Sequence, residues 1–296
     1  MKYTDFTISK DDFTGHLVEP EGGSDRAVIV ISGGEKSLLP GSKIAERFAD
    51  YGITGLAVSL FGAEGLPVGA DRIPVDMFEP AVNYLRETRG ISHISAYGMS
   101  MGSIFAVLAA RYIKGIENVI LVSPTHAPFE GSVDKKHMSG HSVATYRGEE
   151  IPFVKLPLDK YKAGKYYGDR TGMWHSYRDA YADKATEEAA YLRVEELSAR
   201  VLLIAGDADE MWPSDYSVKY MAERMERAGK EYKSVIYPSA GHLVGMMPSR
   251  EKNKWLYRGI PLIGLMYRSF RDNREACMAA LAASEREIVA FVRRSI

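Results

Sequence analysis

Ser100 stands in Gly98-Met99-Ser100-Met101-Gly102, between a β-type run, Ile91 to Tyr97, and a small, apolar, helix-like run, Ser103 to Arg111. On a strand-to-helix turn, Gly-x-Ser-x-Gly holds the serine on a sharp bend and presents its hydroxyl at the sheet edge. Side chains at Gly98 or Gly102 would collide with the neighbouring strand or helix. The start of the following helix aims free N–H groups at an oxyanion forming beside Ser100. The chemistry predicted is attack by an activated serine hydroxyl. That chemistry needs a base, and the base needs an orienting acid.

The rest of the chain supplies both in the order serine, acid, histidine. His242 is the one histidine beyond the apolar run Val201 to Ala205, and it sits in the turn Pro238-Ser239-Ala240-Gly241-His242. For the acid, Gly206-Asp207-Ala208-Asp209 follows a strand directly. Asp209 falls further into the loop and reads as the acid. Asp207 reads as a turn residue bonding nearby backbone. The acid's role is to hold the imidazole tautomer and stabilise the imidazolium. An oxyanion hole needs two preorganised N–H donors. Met101, after the nucleophile, supplies one. Ser32-Gly33-Gly34-Glu35 supplies the other, with Gly34 the first choice and Glu35 the next.

These residues need strand ends to position them. Tyr3 to Ser9, Phe13 to Val18, Ala27 to Ile31, Ile53 to Leu60, Asn118 to Ser123, Val201 to Ala205 and Tyr232 to Tyr237 read as strands. Helical patterns cover Ser42 to Tyr51, Val75 to Thr88, Ser214 to Ala228 and Ala276 to Arg293. The alternation predicts an α/β protein whose mostly parallel central sheet carries helices on both faces. Residues 124–191 break the rhythm, being rich in Tyr, Gly, His and Lys. They read as a partly helical, lid-like insertion over the C-terminal sheet edge, within a single domain spanning residues 1–296.

The totals exclude other classes. The 296 residues carry a formal net charge of −1, so no global field recruits nucleic acid or an anionic membrane. A single cysteine, Cys277, rules out an internal disulfide and suits a reducing cytoplasm. The first residues lack the apolar stretch of a secretion signal, and no run approaches the length of a membrane span.

Two segments carry a specific likeness: Gly206-Asp207-Ala208-Asp209-Glu210-Met211-Trp212-Pro213-Ser214 and Tyr237-Pro238-Ser239-Ala240-Gly241-His242-Leu243. Leu66-Pro67, the run Ile73 to Glu79 and the glycines after the third strand add to it. From about Ala27 onward the chain resembles the C-terminal catalytic domain of acyl-CoA thioesterases and bile acid-CoA:amino acid N-acyltransferases, within the α/β-hydrolase superfamily. The resemblance implies a triad of Ser100, Asp209 and His242, in agreement with the residues themselves. It also implies a coenzyme A thioester as substrate, whereas the residues alone support any activated acyl carbonyl.

Three departures stand out. About 26 residues precede the core, so the β-sandwich domain of the family's eukaryotic members is expected to be absent. Met101-Gly102-Ser103 replaces the basic residue and two glycines often found after the nucleophile. Ser100 replaces the cysteine of the conjugating members, which favours water as the final acceptor. Carboxylester, dienelactone-type or peptide hydrolysis, and acyl transfer to an amine, stay open as alternatives. A non-enzymatic binding protein is disfavoured by the presence of all three residues.

The expected partner is a small acyl ester or thioester, with no metal or organic cofactor. His137 and His141 have ligand-like spacing but no evident third ligand. No P-loop or dinucleotide fingerprint occurs. Trp212-Pro213-Ser214 reads as a helix start capped by Ser214. Met99, Met101, Met211, Met246 and Met247 suit either an acyl pocket or the core. Arg250, Lys252 and Lys254 read as a solvated basic loop with an outside claim on a phosphate.

Overall fold

A computed structural model describes residues 1–134, 137–161, 171–245, 262 and 266–294. Eight strands form the central sheet: β1 (Lys2–Phe6), β2 (Gly15–Glu19), β3 (Arg26–Ile31), β4 (Thr54–Val58), β5 (His93–Met99), β6 (Ile116–Val122), β7 (Arg200–Gly206) and β8 (Tyr232–Tyr237). Their spatial order is β1-β2-β4-β3-β5-β6-β7-β8. The two pairings made by β2 are antiparallel, and every pairing from β4 to β8 is parallel.

Fully apolar strands follow from burial on both faces, and side chains alternate between two cores. Ala27, Ile29 and Ile31 point to one side and Val28 and Val30 to the other; Val201, Leu203 and Ala205 oppose Leu202 and Ile204 in the same way. Helix α1 (Leu39–Asp50) lays Ile44, Ala45 and Phe48 on one face, where the C-terminal helix α6 (Arg274–Arg293) joins it through Leu281 and Ile288. Helix α2 (Gly102–Tyr112) and helix α5 (Ser214–Arg227) cover the opposite face through Phe105, Leu108, Val218 and Met221. No helix among the described residues is long and apolar enough to cross a membrane.

Two expectations need correction. The strand read over Tyr3 to Ser9 ends at Phe6, and a single helical turn, Ile8–Asp11, takes over. There the Asp11 carboxylate accepts the Thr7 N–H at 2.8 Å, a local bond that competes with strand pairing. The helix read over Val75 to Thr88 is segmented into a 3-10 turn (Val75–Met77), an α-helix (Phe78–Asn83) and a π-type turn (Tyr84–Thr88).

Between β6 and β7 the chain forms short strands and two helices, α3 (Thr171–Ala180) and α4 (Lys184–Ala190). Glu130–Ser132 pairs antiparallel with Met138–Ser142, and Ala144–Tyr146 pairs with both Glu149–Glu150 and Ile73–Pro74. A buried polar knot ties α4 to the core. The fully buried His126 imidazole lies 2.9 Å from Ser217 Oγ of α5 and 3.1 Å from the Glu187 carboxylate of α4. Lys184 and Tyr216 also donate to Glu187, at 2.7 and 3.0 Å.

Burial pushes the His126 imidazole below its ordinary range, outweighing the Glu187 contact that pulls it up. The unfolded chain therefore binds a proton that the folded chain resists, so stability must fall as pH drops through about 6.5. Denaturant unfolding of the wild type between pH 7 and pH 5 should show this loss, and His126→Gln should flatten the dependence. Gly102→Ala should lower unfolding free energy by about 3 kcal/mol in the same assay, because a Cβ there would overlap the Ile31 and Ser32 carbonyl oxygens.

Candidate active site

The end of β5 sets Ser100. Its φ of +57° lies in the left-handed region, which a residue with a Cβ rarely occupies. The turn is held from both sides. Ser100 donates its N–H to Val122 O at 2.9 Å and accepts the Ser103 N–H at 3.0 Å. Gly98 lies so close to α2 that a Cβ would come within 2.7 Å of the Ala106 Cβ, with Gly102 O closer still.

The end of β8 delivers His242, which is 3% exposed. Its Nε2 lies 2.9 Å from Ser100 Oγ and its Nδ1 lies 2.8 Å from Asp209 Oδ2. These partners assign the tautomer: Nδ1–H donates to the carboxylate, and Nε2 is left to accept from the hydroxyl. Asp209, in the loop after β7, is 6% exposed and accepts two further hydrogen bonds, from Met211 N–H at 2.8 Å and from the Ser214 hydroxyl at 2.7 Å. These donors fix the carboxylate, which in turn orients the imidazole. Such an arrangement can move a proton from the Ser100 hydroxyl to Nε2.

Ser123, just past the end of β6, braces His242. Its hydroxyl donates to His242 O at 2.7 Å, and its carbonyl accepts the Trp212 indole N–H at 3.0 Å. Trp212 then meets the His242 ring edge to face, with centroids 5.0 Å apart.

Ser100 and His242 open into a cavity of about 600 Å³. Ser32, Gly33, Gly34 and Glu35 line one part of it. A Cβ on Gly33 would sit 3.3 Å from Ser100 Cβ, whereas one on Gly34 would meet nothing within 4 Å. Met101 lies at the head of α2, where N–H groups have no partner within the helix. Apolar side chains line much of the remainder, including Met99, Met101, Met211 and Leu243. From residues 124–191, Phe129, Met173 and Tyr177 also reach the cavity.

A model of the family described as BAAT / Acyl-CoA thioester hydrolase C terminal matches residues 73–250, more than half of the chain. The chain belongs to this family. Ser100, Asp209 and His242 all lie inside the matched stretch. Among curated relatives, mitochondrial acyl-coenzyme A thioesterase 2 of Rattus norvegicus is 27% identical over 232 residues, covering 77% of this chain and 47% of that protein. The chain spans about half the length of the curated relatives it matches. Among solved structures, a thermostable esterase from Pseudomonas putida aligns with a TM-score of 0.56 at 16% identity, over 99% of this chain and 84% of that one. Est1E of Butyrivibrio proteoclasticus, solved with ferulic acid bound, aligns with a TM-score of 0.54 at 17% identity, over 99% and 100%. These likenesses establish the fold of a family member as that of the α/β-hydrolase esterases.

Within this family member the structure separates the two aspartates. Asp207 accepts the Ser239 N–H at 2.6 Å, which makes it a backbone brace between the β7 and β8 loops. Ser214 does not cap its helix: no side-chain cap bond is present at the start of α5, and its hydroxyl serves Asp209 instead. Trp212 precedes α5 as expected and also lines the cavity. His137 and His141 bond the exposed carboxylates of Asp134 and Glu150, and the described residues contain no group of three or more His, Cys, Asp or Glu placed to hold a metal ion. Met246, Met247, Arg250, Lys252 and Lys254 lie outside the described residues.

Sequence reasoning missed Ser123, the role of Ser214, and Tyr267, which lines the cavity and stacks on the His242 ring. Only the hydroxyl of Ser214 after a Gly-Asp-x-Asp turn offered a local signal. Asp209→Asn should cut labelling of Ser100 by a fluorophosphonate about a thousandfold, through the wrong imidazole tautomer. Asp207→Asn should cut it far less, as read by mass spectrometry of the labelled protein.

Proposed function

We propose that the chain is a serine acyl hydrolase, acting most readily on acyl-CoA thioesters through a triad of Ser100, His242 and Asp209. One observation carries the reading. A continuous hydrogen-bonded path runs from the Ser100 hydroxyl through His242 to the buried Asp209 carboxylate, at the edge of a largely apolar cavity. Family membership supports the thioester, and the curated relatives are named for it.

In this mechanism His242 Nε2 takes the Ser100 proton as Oγ attacks the carbonyl carbon. Asp209 stabilises the imidazolium without accepting a proton. Backbone N–H groups of Met101 and Gly34 hold the oxyanion, and loss of one such donor costs about 3 kcal/mol of barrier lowering. Collapse expels the thiolate, which leaves with the proton from His242, and an acyl-Ser100 ester remains. His242 next takes a proton from water, hydroxide character attacks the ester, and the acid departs as the proton returns to Ser100. Phe129, Met173 and Tyr177, described residues of the stretch between β6 and β7, cover part of the cavity.

Ser100→Ala and His242→Ala should each lower turnover by about four orders of magnitude or more while leaving the unfolding midpoint close to that of the wild type. A panel of acyl-CoA and short p-nitrophenyl esters, combined with intact-mass detection of a trapped acyl group, tests the substrate. Release of free thiol with an acyl adduct on Ser100 is expected. Cleavage of p-nitrophenyl esters with no thioester turnover would move the assignment to a carboxylesterase. An absence of any adduct would end the hydrolase reading.

A further inference from the structure

The cavity contains a charge that acyl transfer does not require. Glu35 lines it beside the nucleophile, and its carboxylate is fixed rather than free to swing away, because Oε1 accepts the Gly33 N–H at 2.9 Å. The point where a Gly33 Cβ would lie is 2.8 Å from Glu35 Oε2 and 3.6 Å from Ser100 Oγ, so the carboxylate and the hydroxyl flank the same glycine. Its field reaches the interior: after burial, the Glu35 charge is the next influence pushing the Tyr97 phenol upward. No lysine or arginine appears among the described residues lining the cavity. An anion entering beside Ser100 thus meets a like charge and a largely apolar wall.

We propose that Glu35 is a specificity-determining residue, whose carboxylate restricts the site to acyl groups bearing no negative charge. This rests on the hydrolase reading above. Within that reading it names the accepted class as neutral, apolar acyl groups and the rejected class as ω-carboxyacyl groups. Oxyanion stabilisation by Met101 and Gly34 proceeds against the same nearby charge, so charge rejection is retained at some expense in rate.

The test uses a matched pair of thioesters, hexanoyl- and adipoyl-N-acetylcysteamine, whose leaving group is uncharged and identical. The measured quantity is the ratio of kcat/KM for adipoyl to that for hexanoyl. In the wild type this ratio should be about one-thirtieth or lower at low salt, and it should rise as 1 M salt screens the partly exposed carboxylate. Glu35→Gln keeps an oxygen able to accept the Gly33 N–H and removes the charge. It should raise the ratio about fivefold or more, with a weaker salt response. The ratio cancels any effect of the substitution on chemistry common to both substrates.

Equal turnover of the two thioesters by the wild type would overturn the proposal and leave the hydrolase reading intact. A ratio unchanged by both salt and Glu35→Gln would overturn it as well. Failure of the wild type to cleave either thioester or any p-nitrophenyl ester would remove the hydrolase reading and this proposal together.

Discussion

A serine backbone forced into the left-handed region is the constraint on which the remaining geometry depends. Ser100 has φ +57°, a conformation that costs a residue with a Cβ on the order of 1–2 kcal/mol. Relaxation is blocked because Gly98 and Gly102 have no spare room: Ala106 crowds the first, and the Ile31 and Ser32 carbonyls crowd the second. Tight packing of β3, β5 and α2 thus stores the strain and aims Oγ outward at His242. Ser100 can be supported from both sides only because its sheet neighbours are parallel strands ending at the same level.

Around this bend, His242 and Asp209 are held by groups that never meet Oγ. Ser123 fastens the His242 carbonyl and, through its own carbonyl, the Trp212 indole. Ser214 and the Met211 N–H fasten Asp209. The loops after β6, β7 and β8 are therefore one hydrogen-bonded assembly. The His126–Glu187 knot extends it to α4, since Ser217 lies less than one helical turn beyond Ser214 on α5.

Local chemistry made part of this readable from the chain. Gly-x-Ser-x-Gly, Gly-Asp-x-Asp and the late histidine each carry their geometry within a few residues, because steric limits at a turn act on near neighbours. The central strands were readable for a related reason: burial on both faces leaves a continuous apolar run. Contacts between distant segments were not. The Gly-Asp-x-Asp turn ahead of Ser214 marks its hydroxyl but does not tell a cap from a donor to Asp209, and nothing near Ser123 announces that it supports His242 119 residues away. The methionines illustrate the middle ground. Their softness suited either a pocket or a core, and the fold gives Met99, Met101 and Met211 both positions: each is buried in a core cluster and lines the cavity.

The aromatic neighbours of His242 have a dynamic consequence. Trp212 stands perpendicular to the ring, and Tyr267 lies nearly parallel to it, with centroids 6.4 Å apart. A half-turn about the Cβ–Cγ bond would sweep the imidazole past both and sever its bonds at each nitrogen. The hydrogen bonds at both nitrogens oppose that turn, and in the proposed mechanism they give the two nitrogens separate duties: one anchored on Asp209, the other facing Ser100.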